Sequence, residues 1–246
     1  MAMEIQQRDV QILKFVFACR VASYGQLINR FFAKNNESIA YRRIEALCDA
    51  GLLIPRVDLE FKKSIKFVSV SEKAWDKLSG HWPFLIDSPY FKSESVFHDM
   101  RMNEIFFRFE KLKSYRSFLT ENLLQSSSFL QSDLKYRDLA KLYADGALVT
   151  SGKEDRLFVY GIELEISKKS PERYKEKLSA YYRADGIDGV LYIAGNQEII
   201  NTITRVDAEV RESKGSIVYS ALEFNALNSE TKMIFQNGNT YAIELL

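Results

Sequence analysis

Along the first fifty residues the apolar positions return every three or four places. In RDVQILKFVFACR (8–20), Val10, Leu13 and Phe17 fall beside Ile12 and Val16 on one wide face, which predicts a helix that buries that face. VASYGQLINRFF (21–32) follows after a short break. Ser23 is placed to cap a second helix, with Gln26 three residues on as its capping-box partner and Leu27, Phe31 and Phe32 pointing inward. NNESIAYRRIEALCDAGLL (35–53) predicts a third helix, capped by Asn36 or Ser38. Ala40, Ile44, Leu47 and Cys48 face inward, and Gly51 stands where a left-handed stop is wanted.

The period then changes. LLIPRVDLEFKKSIKFVSVSEKAWDKL (52–78) predicts a strand, a tight charged loop, a second strand and a helix. Three helices followed by a two-stranded wing is the order of a winged helix-turn-helix. Its third helix would present Ser38, Tyr41, Arg42 and Arg43 to a major groove, and its wing tip would bring Lys62, Lys63 and Lys66 to backbone phosphates. The expected boundaries are a winged helix over 1–78, a connector over 79–95 and a second domain over 96–246. The connector, SGHWPFLIDSPYFKSES, is rich in turn residues, yet its aromatics predict that it packs against a domain.

Beyond it, VFHDMRMNEIFFRFEKLK (96–113) predicts a helix and SFLTENLLQ (117–125) a strand. SDLKYRDLAKL (132–142) reads as a polar loop or helical turn. YADGALVTS (143–151), RLFVYGIELEIS (156–167), GVLYIAG (189–195), SIVYSALEF (216–224) and TYAIELL (240–246) are strand-like runs of β-branched and aromatic residues. Helices at SPERYKEKLSAYYR (170–183) and NQEIINTITRVDAEVRE (196–212) lie between strands, and QNGNTY (236–241) predicts a hairpin turn. The order indicates an α/β layer structure around a central mixed sheet.

Composition narrows the class. Of 246 residues, 46% are apolar and 27% charged, as in an ordinary globular chain, and no run approaches the roughly 18 apolar residues of a membrane span. The start, MAMEIQQRDV, has no apolar run behind a basic segment, and Cys19 and Cys48 sit in helical patterns, so a reducing, cytoplasmic setting is expected. The net charge of +1 divides unevenly. Residues 1–80 carry +4, thirteen Lys and Arg against nine Asp and Glu, and residues 81–246 carry −3, twenty-one against twenty-four. A basic head on an acidic body predicts that the head meets a polyanion. The two histidines, His81 and His98, lie in different segments and exclude a histidine-based triad or zinc centre, and no phosphate-loop or dinucleotide fingerprint occurs.

Candidate chemistry lies at Asp145 and on the strand that follows it. Alternation puts Glu163 and Glu165 on one face with Ser167 and Lys169, and Ile162, Leu164 and Ile166 on the other. Acids on adjacent strands can converge on Mg²⁺ or Mn²⁺, which would activate water against a phosphodiester, with Lys169 neutralising the developing charge. The plainer alternative pairs the two glutamates with Arg173, Lys175 or Lys177 of the next helix.

The order helix, three strands, helix, strand, with a lone Asp and then Glu-x-Glu, resembles the PD-(D/E)XK, or restriction-endonuclease-like, fold. Ala144-Asp145 stands where that fold has Pro-Asp. The chain is more closely similar to the replication-relaxation (MobC-like) family, which joins a winged helix to such a domain. HDMRMNE (98–104) resembles that family's His-x-x-x-x-Asn-Glu helix, TEN (120–122) its acidic strand, and ELEIS (163–167) its Glu-x-Glu-x-Ser segment. The resemblance implies a duplex-DNA-binding accessory protein of plasmid mobilisation, DNA relaxation or mobile elements. It implies a relaxase, nuclease or replication partner and, for paired half-sites, a homodimer. It also implies further acids at Glu104 and Glu121 around Asp145 and Glu163. Active members of the fold carry Lys two residues after the first Glu; here that residue is Glu165, and along an extended strand Lys169 would lie about 13 Å further on. The alternatives are a metal-dependent endonuclease and a protein-interaction adaptor.

Overall fold

A computed structural model describes residues 4–34, 36–56, 65–78, 80–87, 89, 95–211, 214–228, 233–237 and 241–245. The chain divides into two compact units, residues 1–103 with 126–128, and residues 104–125 with 129–246. The first unit thus takes in the segment 79–95 and the first half of the helix that follows it.

The first unit runs α1 (Gln7–Cys19), β1 (Ala22–Ser23), α2 (Tyr24–Phe31), α3 (Glu37–Asp49), β2 (Leu53–Arg56), β3 (Phe67–Val70) and α4 (Glu72–Leu78). The predicted caps are present. Ser23 Oγ accepts from the Gln26 N–H at 3.1 Å while Gln26 Oε1 accepts from the Ser23 N–H at 3.2 Å, the reciprocal bonds of a capping box. Of the two candidates for α3, Asn36 is the cap, accepting from the Ser38 N–H at 2.9 Å. Gly51 ends α3 at φ +70°, a backbone that residues with a Cβ seldom adopt. The sheet holds three antiparallel strands in the order β1-β3-β2 rather than the two expected, because Ala22 and Ser23 pair with Val68 and Phe67. Ile12, Leu13, Val16, Leu27, Ala40, Ile44 and Leu47 form the core beneath it. Trp82 of the connector lies on Phe17 of α1, ring centroids 5.7 Å apart. Residues 57–64 of the loop between β2 and β3, with Lys62 and Lys63, lie outside the described residues.

α5 (Val96–Phe109) leads from the first unit into the second. There follow β4 (Tyr115–Thr120), α6 (Glu121–Ser126), α7 (Ser128–Ser132), α8 (Arg137–Lys141), β5 (Gly146–Ser151), β6 (Leu157–Glu165), α9 (Pro171–Tyr181), β7 (Gly189–Ala194), α10 (Gln197–Val210), β8 (Val218–Leu222), α11 (Glu223–Asn228), β9 (Met233–Asn237) and β10 (Tyr241–Leu245). Seven strands form one mixed sheet in the order β10-β9-β8-β7-β6-β5-β4. β4, β5 and β6 are antiparallel neighbours, while β6, β7 and β8 run parallel through the crossover helices α9 and α10. β9 pairs with β10 as a hairpin. The β9 strand and α11 escaped the sequence pattern, and ENLLQ (121–125) is helical: β4 stops at Thr120 and Glu121 opens α6.

Candidate functional site

β6 is an interior strand between β5 and β7, and its residues from Val159 to Glu165 are all buried. Such a strand ordinarily reads as an apolar run, so two carboxylates on it require partners. Glu163 and Glu165 are each 2% exposed. The helix α9 covers their face. Its buried stripe is Tyr174, Leu178 and Tyr181, and Lys177, one turn beyond Tyr174, falls on the same side. Lys177 Nζ donates to Glu163 Oε2 at 2.5 Å, and the Tyr181 hydroxyl donates to Glu163 Oε1. Gly161, two residues before Glu163, lets the helix approach: a Cβ there would meet Leu139 Cδ2 at 2.9 Å and the Tyr181 ring at 3.3 Å.

Lys169 is not on the strand. β6 ends at Glu165, the chain bends, and Lys169 Nζ returns to Glu165 Oε1 at 2.7 Å. The extended-strand spacing expected from the sequence therefore does not hold, and Ser167 is exposed. Asp145 stands one residue before β5, half-buried, and its Oδ2 accepts the Leu164 N–H at 2.6 Å, which anchors it to β6. Its carbonyl accepts the Glu121 N–H at 3.0 Å. Glu104 is exposed on α5 and Glu121 half-buried at the start of α6. Arg173 and Lys175 are exposed, so of the three helix cations weighed as partners Lys177 is the one bound to Glu163.

Burial raises the Glu163 carboxyl to about 7; Lys177 pulls it down and Asp145 pushes it up. Burial likewise raises Glu165 against the opposing pull of Lys169. For Lys177 burial favours the neutral amine, but the charges of Glu163, Asp145 and Glu165 outweigh it and hold the ammonium above its ordinary value. Tyr192, in register with Glu163 on β7, is fully buried. Its hydroxyl has no hydrogen-bond partner among the described residues. Burial, then Glu163 and Glu165, push its pKa well up.

A divalent cation of this kind wants several carboxylate oxygens presented together. Among the described residues no group of three His, Cys, Asp or Glu side chains is arranged to hold a metal ion. Both glutamates hold ammonium groups instead. As arranged, Asp145, Glu163, Glu104 and Glu121 do not fit Mg²⁺ or Mn²⁺.

On the first unit, α3 exposes Ser38, Tyr41 and Arg42. Arg43 turns inward rather than to the outer surface: its Nε donates to Asp9 Oδ1 at 2.9 Å and a terminal nitrogen to Asp9 Oδ2. Lys66 lies over the Tyr24 and Tyr41 rings, 5.4 and 6.0 Å from their centroids, and pairs with Glu45 at 3.1 Å. Glu37, Glu45 and Asp49 share the exposed side of α3.

The chain is thus a mixed α/β protein with a small antiparallel sheet in one unit and a mixed sheet carrying buried acid–lysine pairs in the other. It matches no protein-family model, no curated protein and no solved structure. Among the described residues no helix is long and apolar enough to cross a membrane.

Proposed function

We propose that the protein is a duplex-DNA-binding accessory factor of the replication-relaxation type, serving plasmid mobilisation, DNA relaxation or a mobile element. Its first unit is a winged helix-turn-helix and its second a restriction-endonuclease-like body. The observation that carries the reading is the order α1-β1-α2-α3-β2-β3 with sheet order β1-β3-β2, which leaves Ser38, Tyr41 and Arg42 on the outer side of the third helix. Lys66 stands just before β3, where the wing leaves the sheet, and offsets Glu45 on that face. The second unit supports the reading through its strand order β4-β5-β6-α9-β7, with the short helices α6, α7 and α8 inserted between β4 and β5, Asp145 preceding one central strand and Glu163 on the next. That body would dock a relaxase, nuclease or replication partner, and a homodimer would read paired half-sites.

Fluorescence anisotropy of the full chain on labelled duplex DNA tests this. Affinity should fall steeply with salt. The double change Arg42→Ala plus Lys66→Ala should weaken binding at least tenfold and flatten the salt slope by about one for each phosphate left without its cation. Absence of duplex binding at low salt, or an unchanged affinity in the folded double variant, leaves the adaptor role instead. Nicking of plasmid DNA with Mg²⁺ or Mn²⁺, abolished by Asp145→Asn, would replace the accessory role with an enzymatic one.

A further inference from the structure

Asp99 and Asn103, one turn apart on the first half of α5, are 4% and 2% exposed. Both reach the turn between α1 and α2. Arg20 donates to Asp99 Oδ1 at 2.9 Å, and Asn103 Nδ2 donates to the Val21 carbonyl at 2.8 Å and to Gln26 Oε1 at 3.3 Å. Gln26 Nε2 donates in return to the Met100 carbonyl at 3.3 Å. All of these groups belong to the first unit, which takes in α5 as far as Asn103. The turn they hold is strained. Arg20 has φ +63° and ψ −41°, and the Val21 N–H donates across it to the Cys19 carbonyl at 2.7 Å. This is a γ-turn of positive φ, rare for a residue with a Cβ. Such a backbone persists only where its surroundings over-determine it. From this turn the chain enters β1, whose Ala22 and Ser23 pair with β3, and then α2, whose capping box shares Gln26 with α5.

We propose that the first half of α5 is a clasp that sets the helix-turn-helix, with Asp99 and Asn103 as positioning residues that act on DNA through the α1–α2 turn. Neither side chain touches DNA. Without the clasp Arg20 leaves its positive φ, β1 and the start of α2 lose the bonds that fix them, and α3 is no longer presented in one orientation. The DNA-binding unit thus extends past residue 78, and its helix-turn-helix is complete only with residues 96–103. The consequence for DNA rests on the winged-helix reading, whereas the clasp itself is read without DNA.

The test follows amide hydrogen exchange of the full chain and, separately, its affinity for labelled duplex DNA. Asn103→Leu and Asp99→Leu should speed exchange over Val21–Leu27 by about tenfold, the effect of a lost buried bond, and leave β6 and α9 as protected as before. Asp99→Asn, which keeps an acceptor for Arg20, should fall between Asp99→Leu and the native chain. Duplex affinity should drop with the clasped fraction, by about tenfold, although Ser38, Tyr41 and Arg42 are untouched. Unchanged exchange over Val21–Leu27 in the folded leucine variants overturns the clasp, and so does a loosened turn with native affinity. A native chain that binds no duplex at low salt sinks the winged-helix reading instead, and exchange alone then judges the clasp. Should the variants not fold, the native chain decides: Val21–Leu27 and Met100–Asn103 should open in one step, and opening of the turn while α5 stays protected refutes the proposal.

Discussion

Asp9 is completely buried at the first turn of α1 and accepts from the Gln6 N–H at 2.7 Å as well as from both sides of the Arg43 guanidinium. A further bond from Arg43 reaches the Glu4 carbonyl at 2.9 Å. The planar fork of Arg matches a carboxylate bidentately, so this pair ties the start of α1 to α3. Arg42, its neighbour, is exposed and donates to the Ser38 carbonyl on its own helix at 3.3 Å. Adjacent arginines therefore have opposite roles. Removing Arg43 strands a buried charge, and Arg43→Ala is expected to cost about 3 kcal/mol in denaturant unfolding. Arg42→Ala should change stability by less than about 0.5 kcal/mol, since it touches no core group. Equal costs for the two would show that Arg43 does not hold the fold.

The decisive element pair of the second unit is β6 under α9. Ser170 caps α9, its Oγ accepting the Arg173 N–H at 3.4 Å, and Pro171 fills the first turn, where its missing N–H costs nothing. From there Tyr174, Lys177, Leu178 and Tyr181 follow at helical spacing, which lays a lysine along an otherwise apolar stripe. That lysine on the buried side was the signal in the sequence for the partner of Glu163. Close approach of α9 depends on Gly161. Gly161→Ala should overpack the contact with Leu139 and Tyr181 and cost about 1–2 kcal/mol, seen as a lowered melting temperature. Gly215, whose added Cβ would meet nothing within 4 Å, is the matched control and should tolerate Ala.

Across the molecule as a whole, buried charge makes stability depend on pH. Glu163 is raised from 4.5 to about 7, so the folded state holds its proton after the unfolded chain has released it. The stabilisation from this group is complete below pH 4.5 and is lost as pH rises through 7. Asp87 and Asp138 are lowered, by hydrogen bonds from Ser128 and from the Asp185 backbone respectively, and act in a separate window: their contribution is lost as pH falls below about 3.8. The melting temperature should therefore decline from about pH 5 to about pH 7, and Glu163→Gln should flatten that decline while leaving the acid limb in place. An undiminished slope in the folded variant would assign the effect to another group.

Elements whose cause is local could be read from the chain alone. Helical period, the Ser23–Gln26 box and the left-handed Gly51 each depend on neighbours within a few residues, and each stands where its pattern pointed; the β-branched runs give strands too, though SIVYSALEF yields to α11 at Glu223. The same pattern singled out Glu163 and Glu165, because acids in an apolar strand must be answered by something. What answers them was settled by packing in three dimensions. Lys169 reaches Glu165 only because the chain bends after β6, and Lys177 reaches Glu163 only because α9 crosses back over that face. The inward turn of Arg43 likewise waited on Asp9, thirty-four residues away in the chain. Periodicity fixes which face a side chain occupies, but the partner it meets is chosen by packing between distant segments, where the cost of an unpaired buried charge decides the match.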